Sequence, residues 1–110
     1  MLSRPGDFAA LQELGKVRSD PLLMVRYRGT GLEATRLGLA TGKVLGTAVV
    51  RNRVRRRLRE MFRALAPEIG PGWDILVIAR PAIVRADART IAGTIRRLLQ
   101  RGGVLRGTGA

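Results

Sequence analysis

The chain has 110 residues, enough for one domain around one core. Its 21 Lys+Arg against 8 Asp+Glu leave a formal net charge of +13, a field that favours nucleic acid or an anionic membrane. There is no cysteine and no histidine, and the few acids form no evident carboxylate pair. This removes disulfides, thiolate metal sites, thiol nucleophiles and the commonest general base, so neither a catalytic residue nor a metal site is expected on the chain.

In chain order, Asp7 suits an N-cap, with Phe8, Leu11 and Leu14 at i, i+3 and i+6 and Gly15 as C′. This predicts a first helix over 7–14. Phe8 reads either as core or as a base-stacking aromatic at a cleft edge. Residues 16–20 suit a short edge strand, and 21–28 a strand whose apolar run Leu22, Leu23, Met24, Val25 ends in Arg26, Tyr27 and Arg28. A strand over 35–41 alternates Leu37 and Leu39 with Arg36, Gly38 and Ala40. Its small-residue face suits close approach of another backbone or of a helix.

Residues 42–46 form a turn, and Thr47 is the expected N-cap of a long helix reaching Leu65. Residues 74–79 read D-I-L-V-I-A, the pattern of a strand buried on both faces. Trp73, just before it, reads as a core or rim aromatic. Asp87 caps a last helix, with Ile91, Ile95, Leu98 and Leu99 on one side and Arg96, Arg97 and Arg101 on the other. One domain is expected over 1–101, followed by a glycine-rich, frayed tail over 102–110. Strands that precede and follow a long helix predict an α+β domain with a mixed sheet.

The stretch 51–63, R-N-R-V-R-R-R-L-R-E-M-F-R, holds seven arginines and one acid, Glu60. On a helix, Val50, Val54, Leu58, Met61, Phe62 and Leu65 form one stripe about 120° wide. Asn52, Arg53, Arg56, Arg59 and Arg63 lie mainly on the other side, with Arg51 and Arg57 at the stripe's edges. Of the row Arg51–Arg55–Arg59–Arg63, Arg63 is placed farther out, with Arg53 and Arg56. A solvated charged face normally alternates signs; an unbroken i,i+4 arginine row repels itself unless a polyanion lies against it. Guanidinium binds phosphate bidentately and stays charged. The longest strongly apolar run, 75–79, is far short of the roughly 20 residues a membrane span needs. Residues 1–6 carry no apolar signal segment, so a cytoplasmic location is expected.

Several of these residues together resemble the protein subunit of bacterial ribonuclease P. They are Arg36-x-Gly38, Lys43, Gly46, Ala48-Val49, then Arg51-Asn52-Arg53-x-Arg55-Arg56-x-x-Arg59-Glu60-x-Phe62-Arg63, and Asp74-x-x-Val77-Ile78-Ala79-Arg80, with Asp7-Phe8 and Gly15. The resemblance covers about residues 5 to 100. It implies a single-domain αβββαβα fold with a mixed four-stranded sheet packed by helices, similar to domain 2 of ribosomal protein S5, with a left-handed βαβ crossover.

It also implies an accessory subunit of an endoribonuclease. The RNA subunit carries the active site, uses Mg²⁺, and removes the 5′ leader of precursor tRNA. The implied partners are ribonuclease P RNA and that leader, in a 1:1 ribonucleoprotein with a monomeric protein and no membrane. Carried over by position, Arg51, Asn52, Arg53, Arg55, Arg56 and Arg59 would bind RNA. Phe8, Arg26, Arg36 and Lys43 would face the leader cleft. The chain departs from the family where Gly42-Lys43-Val44 replaces Ser-Lys-Lys, and where aromatics common in the family fall at Gln12 and Arg26. Its cleft would lean on cations more than on rings. Other readings of the same helix are a ribosome-associated RNA-binding module and a DNA-binding or membrane-surface domain.

Overall fold

The computed structural model describes residues 5–105, and within the first helix it leaves the side chains of Pro5, Asp7, Phe8 and Leu14 undescribed. Three α-helices, four strands and three short 3-10 turns follow one another: α1 (Pro5–Leu14), β1 (Lys16–Ser19), β2 (Leu23–Gly29), β3 (Arg36–Ala40), α2 (Ala48–Leu65), β4 (Trp73–Ala79) and α3 (Ala88–Arg101). The expected α+β order holds. α1 begins at Pro5 rather than after Asp7, because proline's fixed φ suits a first helical turn. Asp7 therefore lies inside the helix and is not its cap.

The sheet order is β1-β2-β4-β3. β2 lies antiparallel to β1 and β4, while β3 runs parallel to β4, which makes the sheet mixed. α2 is the crossover between the two parallel strands. The latest strand thus sits inside the sheet, which is why 73–79 is apolar on both faces.

Alternation divides the sheet's two faces. Leu23, Val25, Tyr27, Ile75, Val77 and Ala79 point into the main core, with Leu37 and Leu39 at its border. α2 adds Val54, Leu58, Phe62 and Leu65, and α3 adds Ile91, Ile95, Leu98 and Leu99. Both helices therefore cover the same face. On the opposite face Leu11 of α1 meets Leu76, with Ala40 and Ile78 beside them.

Both expected caps form. Thr47 Oγ1 accepts from the Val50 amide at 3.4 Å, and Asp87 Oδ1 accepts from the Thr90 amide at 2.7 Å. Gly15 is not a left-handed C′ residue. It is required by crowding, since a Cβ there would lie 2.4 Å from the Leu11 carbonyl oxygen.

The packed chain continues beyond the expected boundary at residue 101. Val104 and Leu105 are buried in the main core, and Leu105 bridges to Ile69. Gly103, at φ 75°, turns the chain after α3 so that these two residues reach the core. Residues 106–110 of the expected tail lie outside the described residues.

Candidate nucleic-acid interface

α2 is positioned by burial of its apolar stripe, so its remaining surface is set at a fixed angle to the sheet. An i,i+4 row drifts by about 40° per step on an α-helix. The row Arg51–Arg55–Arg59–Arg63 therefore starts close to the buried stripe and climbs away from it. Arg51 and Arg55 are half-buried, whereas Arg59 and Arg63 are exposed.

The buried end of the row is tied to the end of β3. Arg51 Nε donates to the Thr41 carbonyl at 3.3 Å. Arg55 donates twice to Thr41 Oγ1, from Nε at 3.2 Å and from Nη2 at 2.8 Å. Thr41 is itself buried. These bonds fix two guanidinium groups at the rim of the sheet without neutralising either charge. The exposed end of the row borders a cavity of about 280 Å³ between α2 and β3, where Arg59 and Arg63 stand over Leu37, Phe62 and Ile75. Arg63, expected farther out beside Arg53 and Arg56, instead shares this cavity with Arg59, because the start of β3 lies beneath the end of the helix.

Asn52, Arg53, Arg56 and Arg57 are all exposed. Among the described residues, Arg53, Arg56, Arg57, Arg59 and Arg63 have neither a carboxylate partner nor a hydrogen bond. The protein thus presents an outward array of guanidinium groups with no internal compensation.

The sheet face opposite the main core carries Met24, Arg26 and Arg28 of β2, Arg36, Gly38 and Ala40 of β3, and Asp74, Leu76 and Ile78 of β4. Arg26 is half-buried, across from Leu76. Lys43 is exposed, in the turn before α2. Of the residues expected to face a cleft, Arg26 lies on the sheet face that α1 packs against, and Lys43 lies in the turn that follows β3.

Arg36, expected beside them as a cleft cation, lies on the same sheet face as Arg26 and is held in an ion pair. Its Nε and Nη2 donate to Asp74 Oδ1 and Oδ2 at 2.9 and 2.8 Å, and Asp74 is fully buried. A buried carboxylate needs such a partner, and the β3–β4 register sets the two residues side by side. Phe8, the expected cleft aromatic, has its side chain outside the described residues.

The sequence reading passed over Thr41, Asp74 and Arg28. Asp74 was visible as a lone acid at the head of an apolar strand. Strand pairing, which makes Arg28 and Arg36 its neighbours, was not.

Among the described residues no three His, Cys, Asp or Glu side chains gather into a set that could hold a metal ion. No described helix is long and apolar enough to cross a membrane.

Comparison with known proteins places the chain in a family. The family model for Ribonuclease P matches residues 1–103. The ribonuclease P protein component of Roseiflexus castenholzii is 39% identical over 107 residues, covering 96% of this chain and 88% of that protein. The one from Caldanaerobacter subterraneus is 34% identical, covering 91% and 86%. The structure of the Staphylococcus aureus RNase P protein superposes with a TM-score of 0.86 at 26% identity, covering 96% of each chain. The Thermotoga maritima RNase P protein gives 0.79 at 32% identity, covering 86% of this chain and 90% of that one. A family match across nearly the whole chain, relatives above 30% identity and one shared fold lead to a single assignment: the chain belongs to the ribonuclease P protein components, the accessory protein subunits that join an RNA partner in this tRNA-processing endoribonuclease.

Proposed function

We propose that α2 binds the ribonuclease P RNA through its outer guanidinium groups, and that the sheet face beside α1 guides the 5′ leader of precursor tRNA. The observation that carries this is the division of the arginines on α2. Arg51 and Arg55 are anchored to Thr41 at the sheet's rim, while Arg53 and Arg56 point away with no protein partner. One helix thereby offers charge to two polyanions on different sides. Asn52 adds an exposed amide between them, and Arg59 continues the charge along the helix.

Each role follows from the physics of its ligand. Structured RNA is met through phosphates, for which planar, permanently charged guanidinium groups suit well. A single strand needs a groove with cations along its backbone, which Arg26 and Lys43 supply here. The protein positions the two RNAs and lowers their mutual repulsion. The Mg²⁺ ions and the cleavage itself belong to the RNA subunit, in a particle with one protein and one RNA.

Reconstitution tests the reading. The protein alone should leave precursor tRNA intact, and adding a bacterial ribonuclease P RNA should give cleavage at the mature 5′ end at low Mg²⁺. Cleavage by the protein alone, or no gain when it joins the RNA, overturns the proposal.

A further inference from the structure

Beneath the second half of α2, beside the start of the edge strand β3, lies the cavity of about 280 Å³ that phosphate contacts alone leave unfilled. Its walls are apolar. Leu37 and Ile75 rise from the main-core face of the sheet, Phe62 comes down from α2, and Ile69 closes the end. Leu37 and Ile69 are only half-buried. Protein interiors normally close to crystal-like density, so an open apolar space of this size beside a helix leaves surface for a ligand. The walls are also held in place. Thr35 Oγ1 donates to the Gly70 carbonyl at 2.8 Å and accepts from the Trp73 amide at 3.2 Å, and Ile69 bridges to Leu105.

The mouth is cationic. Arg59, Phe62, Arg63 and Ala66 follow at i, i+3, i+4 and i+7, so they share one side of the helix, and all four line the cavity. Arg59 and Arg63 are exposed and, among the described residues, have no ion pair or hydrogen bond. Glu60, the one acid of α2, falls on the outer side with Arg53 and Arg56 and does not reach them. Ala66, between Phe62 and the two arginines around the helix, is too short to fill the opening.

Two free guanidinium groups over an apolar slot suit a planar group with an anion attached to it. A hydrocarbon would leave the cations unused, and a free phosphate would leave the walls unused. A nucleotide uses both, and folded RNA offers one wherever a base is unstacked. We infer that this cavity receives one unstacked base of RNA, with its neighbouring phosphates on Arg59 and Arg63. This rests on the reading that α2 binds RNA, and adds to it a contact that senses a base rather than a charge. An unpaired nucleotide of the RNA subunit and one of the precursor leader present the same chemistry.

Methyl NMR of the full chain tests the slot directly. Titration with nucleoside 5′-monophosphates should move the methyl signals of Leu37, Ile69 and Ile75, and ribose 5-phosphate, which has the anion without the base, should not. Ala66→Trp places an indole in the opening without changing charge. It should abolish those shifts and weaken RNA binding roughly tenfold, the scale of one lost base-stacking contact, with the salt slope unchanged. Ala66→Leu serves where the indole disturbs the fold. Arg59→Gln with Arg63→Gln touches only exposed, unpaired side chains and should lower the slope by about 0.7–0.9 per lost phosphate contact.

The reconstituted particle identifies the source of the base. Weaker binding of the RNA subunit by the Ala66 variants assigns it there; a loss confined to precursor tRNA carrying a leader assigns it to the leader. Unchanged affinity for both, shifts as large with ribose 5-phosphate, or shifts confined to Leu76 and Ile78 on the opposite sheet face overturn the site. In that case, a loss of RNA affinity in Arg53→Ala/Arg56→Ala still upholds α2 as the RNA-binding helix; without that loss, both readings fall.

Discussion

Arg55 reaches from the flank of α2 to Thr41, donating hydrogen bonds to its Oγ1 from both Nε and Nη2. Arg55 is thus a bracket between helix and sheet as well as a cation at their junction. Arg55→Ala should therefore act twice. Loss of the paired bonds should destabilise the fold by about 1–2 kcal/mol, visible as a lower urea midpoint, and RNA affinity should fall as well. Thr41→Val removes the acceptor but keeps the cation. It should lower stability by a similar amount and leave the salt slope of RNA binding almost intact. Equal loss of salt slope in both variants would falsify the bracket assignment.

Arg53→Ala with Arg56→Ala separates binding from folding in the other direction. Both side chains are exposed and unpaired, so stability should stay within about 0.5 kcal/mol. Affinity for the RNA subunit should drop, and the salt slope should decrease by about 0.7–0.9 per lost phosphate contact. Filter binding across a salt series measures this; an unchanged slope moves the RNA contact to another face.

Asp74 should behave as a structural charge. Asp74→Asn leaves Arg36 and Arg28 facing a neutral amide, and both arginines retain some access to water. A cost of about 1–3 kcal/mol is expected in urea unfolding. Arg36→Met should cost more, since it leaves the fully buried carboxylate with only the 3.6 Å contact to Arg28. The reverse ranking would contradict the view that Asp74 is the buried member that needs its partner.

The cap of α3 predicts a pH dependence. The Thr90 amide, bonded to Asp87, holds its carboxyl below the ordinary value of 3.8. The Arg96 guanidinium, bonded to Glu68, holds that carboxyl below 4.5. For a carboxyl whose folded pKa is depressed, the stabilisation is present above the unfolded value and is lost as pH falls through the folded one. Stability should therefore decline as the protein is acidified below about pH 4.5. Asn accepts the capping bond without titrating, so Asp87→Asn should remove one part of that decline. A urea midpoint followed from pH 6 to pH 2.5 in both proteins checks this.

Leu58 tests the link from core to interface. It is almost fully buried beneath the arginine helix. Leu58→Ala should cost about 2–5 kcal/mol, and RNA binding should weaken only where the fold is partly lost. Raising protein stability with an osmolyte should then restore the affinity, which it would not do for Arg53→Ala.

Much of the fold was legible because it rests on local patterns. Thr47 and Asp87 announced two helix starts, since a capping side chain needs only its own next turn. The apolar stripe of α2 and the alternation around Gly38 gave each element its inner side. The seven arginines of residues 51–63 marked the interface, because a row of like charges on one helix conflicts with stability unless something anionic meets it.

What only the tertiary structure decided depends on pairs far apart in the chain. Strand register set Arg36 against Asp74, 38 residues away, so that the cation expected at the cleft is also the partner of a buried acid. Helix docking chose Arg51 and Arg55, rather than the whole row, to meet Thr41. Packing drew Val104 and Leu105 into the core where a frayed tail was expected. A sequence specifies each side chain's chemistry and its local period, whereas which charges end up neutralised and which stay open to a ligand is fixed by long-range packing.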